Sequence, residues 1–151
     1  MRQALAQYKG TGAKQQYSYS LLLLAETLLK QGQVDESMEV LADAETMLKN
    51  NGERFYEPEL YRTQAEALLR KGPSGTEFAE QKLRVAVSTS RQLGFKSWEL
   101  RAATSLARLL RDTGRRDEGR ATLAEIYNWF TEGFDTADLK DAKALLNELG
   151  T

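Results

Sequence analysis

The stretch SWELRAATSLARLLRDTG, Ser97 to Gly114, decides the fold. Within it Ala103, Leu106, Ala107 and Leu110 recur three and four residues apart, the spacing that stacks side chains on one face of an α-helix. Gly114 closes the run, and glycine takes the left-handed conformation that stops a helix cleanly. The same signature occurs twice upstream. Ala25 and Ala65 stand seven residues before Gly32 and Gly72, as Ala107 does before Gly114. Leu28, Leu68 and Leu110 stand four residues before the same glycines. A second series, Gly12, Gly52 and Gly94, interleaves with the first, and in both series successive members are 40 and 42 residues apart.

A fixed period of this size is the mark of stacked helical hairpins. After each glycine of the first series come small residues, Ser37, Ala79 and Gly119, then Leu41, Leu83 and Leu123, then Ala44, Ala86 and Ile126. Small side chains let two helices cross closely, and a leucine one turn away fills the groove beside the crossing. The segment Gly72-Pro73-Ser74-Gly75-Thr76 holds the two extra residues of the longer step. Strand-like alternation is scarce, and proline occurs only at Pro58 and Pro73. Expected helices cover residues 1–9, 16–31, 34–50, 58–71, 77–93, 97–113, 116–131 and 136–149. The first aligns with the back half of a second helix, so the chain is expected to begin inside a repeat, as a fragment of a longer array would.

The last stretch, NWFTEGFDTADLKDAKALLNELG from Asn128 to Gly150, fits the end of such an array. Glu132-Gly133 is a stop signal, Asp135 and Thr136 are N-cap residues, and Asp138 suits the positive end of a helix dipole. Leu139, Ala142, Leu146 and Leu149 form one stripe, with Lys140, Asp141 and Glu148 off it, and Trp129 and Phe130 are expected to pack beneath.

Composition limits the chemistry. The 151 residues contain no cysteine and no histidine. Disulfides, thiolate nucleophiles and imidazole proton transfer are therefore unavailable. No apolar run approaches a membrane span, Leu21 to Ala25 being the longest, and Met1 to Leu5 lack the apolar stretch of a secretion signal. A cytoplasmic, non-catalytic chain without cofactor or metal is the expectation. Net charge is −1, but residues 32–66 hold nine acids against three bases and residues 91–120 hold eight bases against four acids. GTGAK, Gly10 to Lys14, has the wrong glycine spacing for a phosphate-binding loop and fits an inter-repeat turn. Arg115-Arg116 is too short a basic run for a nucleic-acid face. Tyr56 and Trp98, each four residues past its glycine, suit wedges between repeats.

The repeat pattern resembles the tetratricopeptide repeat (TPR), in which a small residue precedes the turn glycine by seven and small–large–small positions follow. The usual bulky aromatic is replaced by Leu21, Tyr61 and Ala103, and the period exceeds the ~34 residues of that repeat. YNWFTEGFDTADLKDAKALLNEL and SWELRAATSLARLLRDTG are similar to the C-terminal MalT-like TPR array of bacterial regulators that join adenylate cyclase-like or winged-helix domains to a signal-transduction ATPase. The resemblance implies an all-α, right-handed TPR-like solenoid of one domain over residues 1–151. Its repeats would cover about 13–52, 53–94 and 95–133, with a half-repeat before them and a capping helix at 135–150. It also implies a sensor or scaffold role, with catalysis upstream.

In such arrays the outward positions of the first helices line a concave groove. By alignment these are Tyr19, Glu59 and Arg101; Leu22, Arg62 and Thr104; Glu26, Glu66 and Arg108; with Leu29, Leu69 and Arg111 beside them. The groove is expected to turn from apolar-acidic to basic along its length. Arg101, Thr104, Arg108 and Arg111 share one helix face, and arginine forks suit an acidic peptide or chain terminus. The competing expectation is pairing of Arg101 and Arg108 with Glu59 and Glu66. A homodimer through an open repeat end bearing Ala4, Leu5 and Tyr8 is the other partnership the sequence suggests.

Overall fold

The computed structural model describes residues 14–52 and 54–150, so the expected helix at 1–9 and the GTGAK glycines lie outside the described residues. Seven α-helices follow in order: α1 (Lys14–Lys30), α2 (Val34–Asn51), α3 (Glu57–Lys71), α4 (Thr76–Leu93), α5 (Lys96–Asp112), α6 (Arg116–Tyr127) and α7 (Ala137–Leu149). Among the described residues there is no β-strand. The contacts group the chain into two compact units, one up to Ala79 and one from Glu80, with the boundary inside α4.

In the first unit α1 packs along α2, and α3 packs against both. Leu21, Leu24, Ala25 and Leu28 of α1 share an apolar cluster with Val40, Leu41, Ala44 and Leu48 of α2 and with Leu60 and Ala67 of α3. The crossing of α1 and α2 is made by fully buried Ala25 and Ser37, whose hydroxyl donates to the Ala25 carbonyl at 2.7 Å. In the second unit α5 packs along α6, and α7 packs against both. Here the same register holds with different atoms. Gly119 comes so close to α5 that a Cβ on it would lie 3.0 Å from the Ala107 carbonyl oxygen and 3.3 Å from the Leu110 Cβ.

The hairpin turns repeat to the atom. The amide of Gly32 donates to the Leu29 carbonyl and that of Gln33 to the Leu28 carbonyl, with Gly32 at φ +80°. Gly114 and Arg115 make the same two bonds to Arg111 and Leu110, with Gly114 at φ +81°. This pair of bonds satisfies the last helical carbonyls and requires a left-handed residue at the glycine. Gly72 departs from the pattern, at φ +147° and ψ 178°, and leads into a 3-10 turn at Pro73–Gly75. That is where the sequence places its two extra residues.

The small and large repeat positions are interior. Ala25, Ala65 and Ala107 are wholly buried, as are Ala79, Leu83, Ala86 and Leu123, while Leu68 is half-buried. Helix bounds agree with the sequence reading to within about two residues at every end but one. α6 stops at Tyr127, four residues before the expected Thr131. The amides of Trp129 and Phe130 turn back to the carbonyls of Ile126 and Tyr127 in tightened i→i+3 bonds. The run Tyr127-Asn128-Trp129-Phe130-Thr131 is rich in residues that lose rotamer freedom in a helix. Gly133 is left-handed, but it shapes the following turn, where its carbonyl accepts from the Thr136 amide.

A closed ring of charge ties α4 to the start of α6. Glu80 accepts from Arg84 at 2.8 Å and from Arg115 at 2.9 Å. Glu118 accepts from Arg84 at 2.8 Å and from Arg115 at 2.9 Å. The hydrogen bond from Arg84 is the largest cause that holds each carboxyl below its ordinary range; burial opposes it, and Arg115 adds to it.

Candidate functional site

The structure places the aligned residues in two groups, one in each unit. In the first, Tyr19 is exposed and stacks on Tyr56 with ring centroids 5.2 Å apart, and Phe55 meets Tyr56 edge-on. Leu22 faces the interior at 4% exposure. Arg62 of α3, expected to face outward, is 5% exposed and sits among three carboxylates. Its Nε and one terminal nitrogen fork onto Glu59 at 2.7 and 3.3 Å, the other terminal nitrogen donates to Glu66 at 2.8 Å, and Glu26 of α1 lies 3.7 Å away. Glu59 is as buried as Arg62. Burial alone would favour the neutral form, but Glu59 first, then Glu66 and Glu26, outweigh it and raise the Arg62 pKa above the ordinary arginine value. The guanidinium is charged at every working pH, and its hydrogen bonds are internal.

The second group lies on α5. Thr104 is buried and donates back to the Leu100 carbonyl at 2.8 Å. Arg101, Arg108 and Arg111 reach α7. Arg101 lies 3.7 Å from Asp138, Arg108 donates to Asp141 at 2.5 Å, and Arg111 donates to both oxygens of Glu148 at 3.1 and 3.0 Å. Arg111 also holds Asp112, and that bond first, then Glu148, raises its pKa. Arg116 donates to the carbonyls of Glu148 and Leu149, where a cation suits the negative end of the helix dipole. The face of α7 toward its neighbours buries Leu139, Ala142, Leu145 and Leu149, with Leu145 in the place expected for Leu146.

Asp138, Asp141 and Glu148 are the functional candidates that the alignment of repeats passed over, since α7 has no counterpart in the other units. The signal was nonetheless present: each of the three acids immediately precedes a residue of the buried stripe. Leu29 is buried and Leu69 half-buried beside the first group.

Beside the start of α7 a cavity of about 200 Å³ is lined by Ser97, Leu100, Phe130, Glu132, Gly133, Thr136, Asp138 and Leu139. Phe130 thus packs toward α7 as expected, but Trp129 does not. It is 57% exposed, because the early end of α6 turns it outward, where Lys96 lies 5.5 Å from its ring centre. Lys96 and Arg91 in turn hold the buried carboxylate of Glu99, at 3.4 and 2.9 Å.

Among the described residues no group of three or more carboxylates could hold a metal ion, and no helix is long and apolar enough to cross a membrane. What the arrangement offers chemically is a row of guanidinium donors that faces a row of carboxylates along one helix. The chain matches no protein-family model, and no curated protein matches it.

Proposed function

We propose that the chain is a non-catalytic protein-interaction module of TPR-like helical hairpins, forming a right-handed solenoid and working in the cytoplasm as part of a bacterial multidomain signalling regulator. The repeated hairpins support the first half of this reading. Ala25 and Ser37 cross as Ala107 and Gly119 do, and the same turn bonds close both hairpins. The resemblance of the last fifty-odd residues to regulator arrays supports the second half. One observation carries the binding role: the arginine row of α5 engages three carboxylates from a single helix, at Asp138, Asp141 and Glu148. A surface that organises a row of carboxylates in this way suits an acidic helical segment of another protein, since guanidinium groups supply both charge and directed N–H donors.

The test is a titration with acidic amphipathic peptides against the chain and against Arg101→Glu/Arg108→Glu. Binding that weakens at least tenfold in the variant supports the assignment. Binding that survives reversal at full strength removes the α5 face from the site.

Self-association is a second reading, favoured by a particular patch. Tyr19, Leu23 and Phe55 of the first unit are exposed at 36, 40 and 45%, and exposed apolar surface of this kind marks contact sites. Ala4, Leu5 and Tyr8, the sequence-based candidates for the same role, lie outside the described residues. Sedimentation across a concentration series decides it, with Leu23→Ser expected to shift any dimer toward monomer.

A further inference from the structure

The carboxylates that α7 presents to the arginine row have a regular placement. Asp138 stands directly before buried Leu139, Asp141 before Ala142, and Glu148 before Leu149. The rows run in the same direction and match in length: Arg101 to Arg111 and Asp138 to Glu148 are each ten residue steps, about 15 Å of helix. Arg108 and Arg111 lie toward one end of the α5 row, and Asp138 and Asp141 toward the other end of the α7 row. The match is therefore between whole faces and not a rung-by-rung ladder.

The hold of α7 on this face is light in charge and short in apolar contact, and a polar tie to α6 comes from the Arg116 guanidinium on the carbonyls of Glu148 and Leu149. The arginine side chains of the three pairs are 26–39% exposed and their carboxylates 51–54%. Pairs so open to water are weak and are screened by salt. Four side chains, Leu139, Ala142, Leu145 and Leu149, make the buried stripe. The segment joining α6 to α7 covers residues 128–136, and every residue from 131 to 138 is exposed. Extended, nine residues reach about 30 Å, enough for α7 to leave the face while remaining attached.

The geometry points to α7 as an internal ligand. The arginine face of α5 is a docking surface for an acidic amphipathic helix of a partner protein, and α7 keeps that face covered until the partner helix displaces it. The partner's recognition face is described by α7 itself: acidic residues at relative positions 1, 4 and 11, each followed by an apolar residue. This inference rests on the reading of the α5 face as a partner-binding surface. It adds that the surface is closed in the free protein. As a tethered competitor α7 acts at a millimolar-scale effective concentration, so a partner must present the same pattern with greater strength or greater length.

The probe is a labelled peptide with the sequence of residues 135–150, and the control is a scrambled peptide of the same composition. The full chain is compared with Asp138→Asn/Asp141→Asn/Glu148→Gln, which keeps the apolar stripe and removes only the competing charges. The variant is expected to bind the probe about tenfold more tightly than the unaltered chain, since three exposed pairs are lost from the competitor. Neither should bind the scrambled peptide. Equal binding to both chains overturns the closure by α7 and leaves the binding surface standing. No binding to either overturns both. Hydrogen exchange on the unaltered chain needs no substitution: unlabelled probe supplied well above the millimolar-scale effective concentration of the tether is expected to speed exchange in residues 137–149. Probe binding without that acceleration also overturns the inference.

Discussion

Arg62 shows what one charged side chain costs and contributes inside this protein. It is bound to Glu59 and Glu66, approached by Glu26, and nearly sealed from water. A buried ion pair is weak evidence for net stabilisation, yet removing one partner strands the other without compensation. Arg62→Met is therefore expected to destabilise by about 3–5 kcal/mol, read as a fall in the urea midpoint. The double change Glu59→Met/Arg62→Met is expected to recover part of that loss, because it removes the most buried acid with the arginine and leaves only the more exposed Glu26 and Glu66 without their cation. Gly119 makes the opposite kind of demand, for the absence of atoms. Gly119→Val pushes methyl groups into the Ala107 carbonyl and is expected to cost about 1–3 kcal/mol, despite replacing glycine inside a helix. Ser37, its counterpart in the first unit, carries a Cβ at the crossing and donates its hydroxyl to the Ala25 carbonyl.

At the scale of elements, the charge ring between α4 and α6 predicts an acid response. Glu80 and Glu118 have pKa values below their ordinary 4.5. A carboxyl whose folded pKa is lowered contributes stability that is present above its unfolded value and disappears as pH falls through the folded one. Thermal midpoints should thus decline as pH drops below about 4.5, the ordinary carboxylate value. In Glu80→Gln/Glu118→Gln that part of the decline should be absent, and the neutral-pH midpoint should be lower by the same small amount, since that is the stability the two carboxylates contribute there. A profile that keeps its full acid slope in the double variant would show that the ring carries none of it.

The same scale explains what could be read beforehand. Helix starts were legible because turn glycines and the alanine–leucine spacing mark them without reference to distant residues. The end of α6 was not. Glu132-Gly133 looks like a stop, but the aromatic run before it tightens the chain at Tyr127, and Trp129 is left outside. In the candidate site, the membership of the arginine row was legible from alignment alone. Its partners were not, since α7 falls outside the period on which the alignment depended. The resemblance to TPR arrays, carried along that period, implies an outward face for Leu22, Glu59, Arg62 and Thr104. Helices α1 and α3, and α5 and α7, pack on one another, and these four positions are buried.

Across the molecule, each unit has its own apolar interior and its own charged cluster. Arg62 serves the first, and the α5–α7 row and the α4–α6 ring serve the second. In chains built of short-range units, stability varies along the length and local openings need not be global. Native-state hydrogen exchange should register this. Arg62→Met is expected to lower protection first in α1–α3, and Gly119→Val first in α5–α7. A uniform loss in both variants would mean that the protein opens only as a whole.

The arrangement of Glu80, Arg84, Glu118 and Arg115 has one more consequence, which is topological. Four links join four members in a cycle with no diagonal. Deleting any single member cuts two links, and deleting two neighbours cuts three, so the second loss in a neighbouring pair should be smaller than the first. Deleting the two acids, or the two arginines, cuts all four and should be close to additive. Paired deletions around the cycle would therefore distinguish a true loop of interactions from four independent contacts.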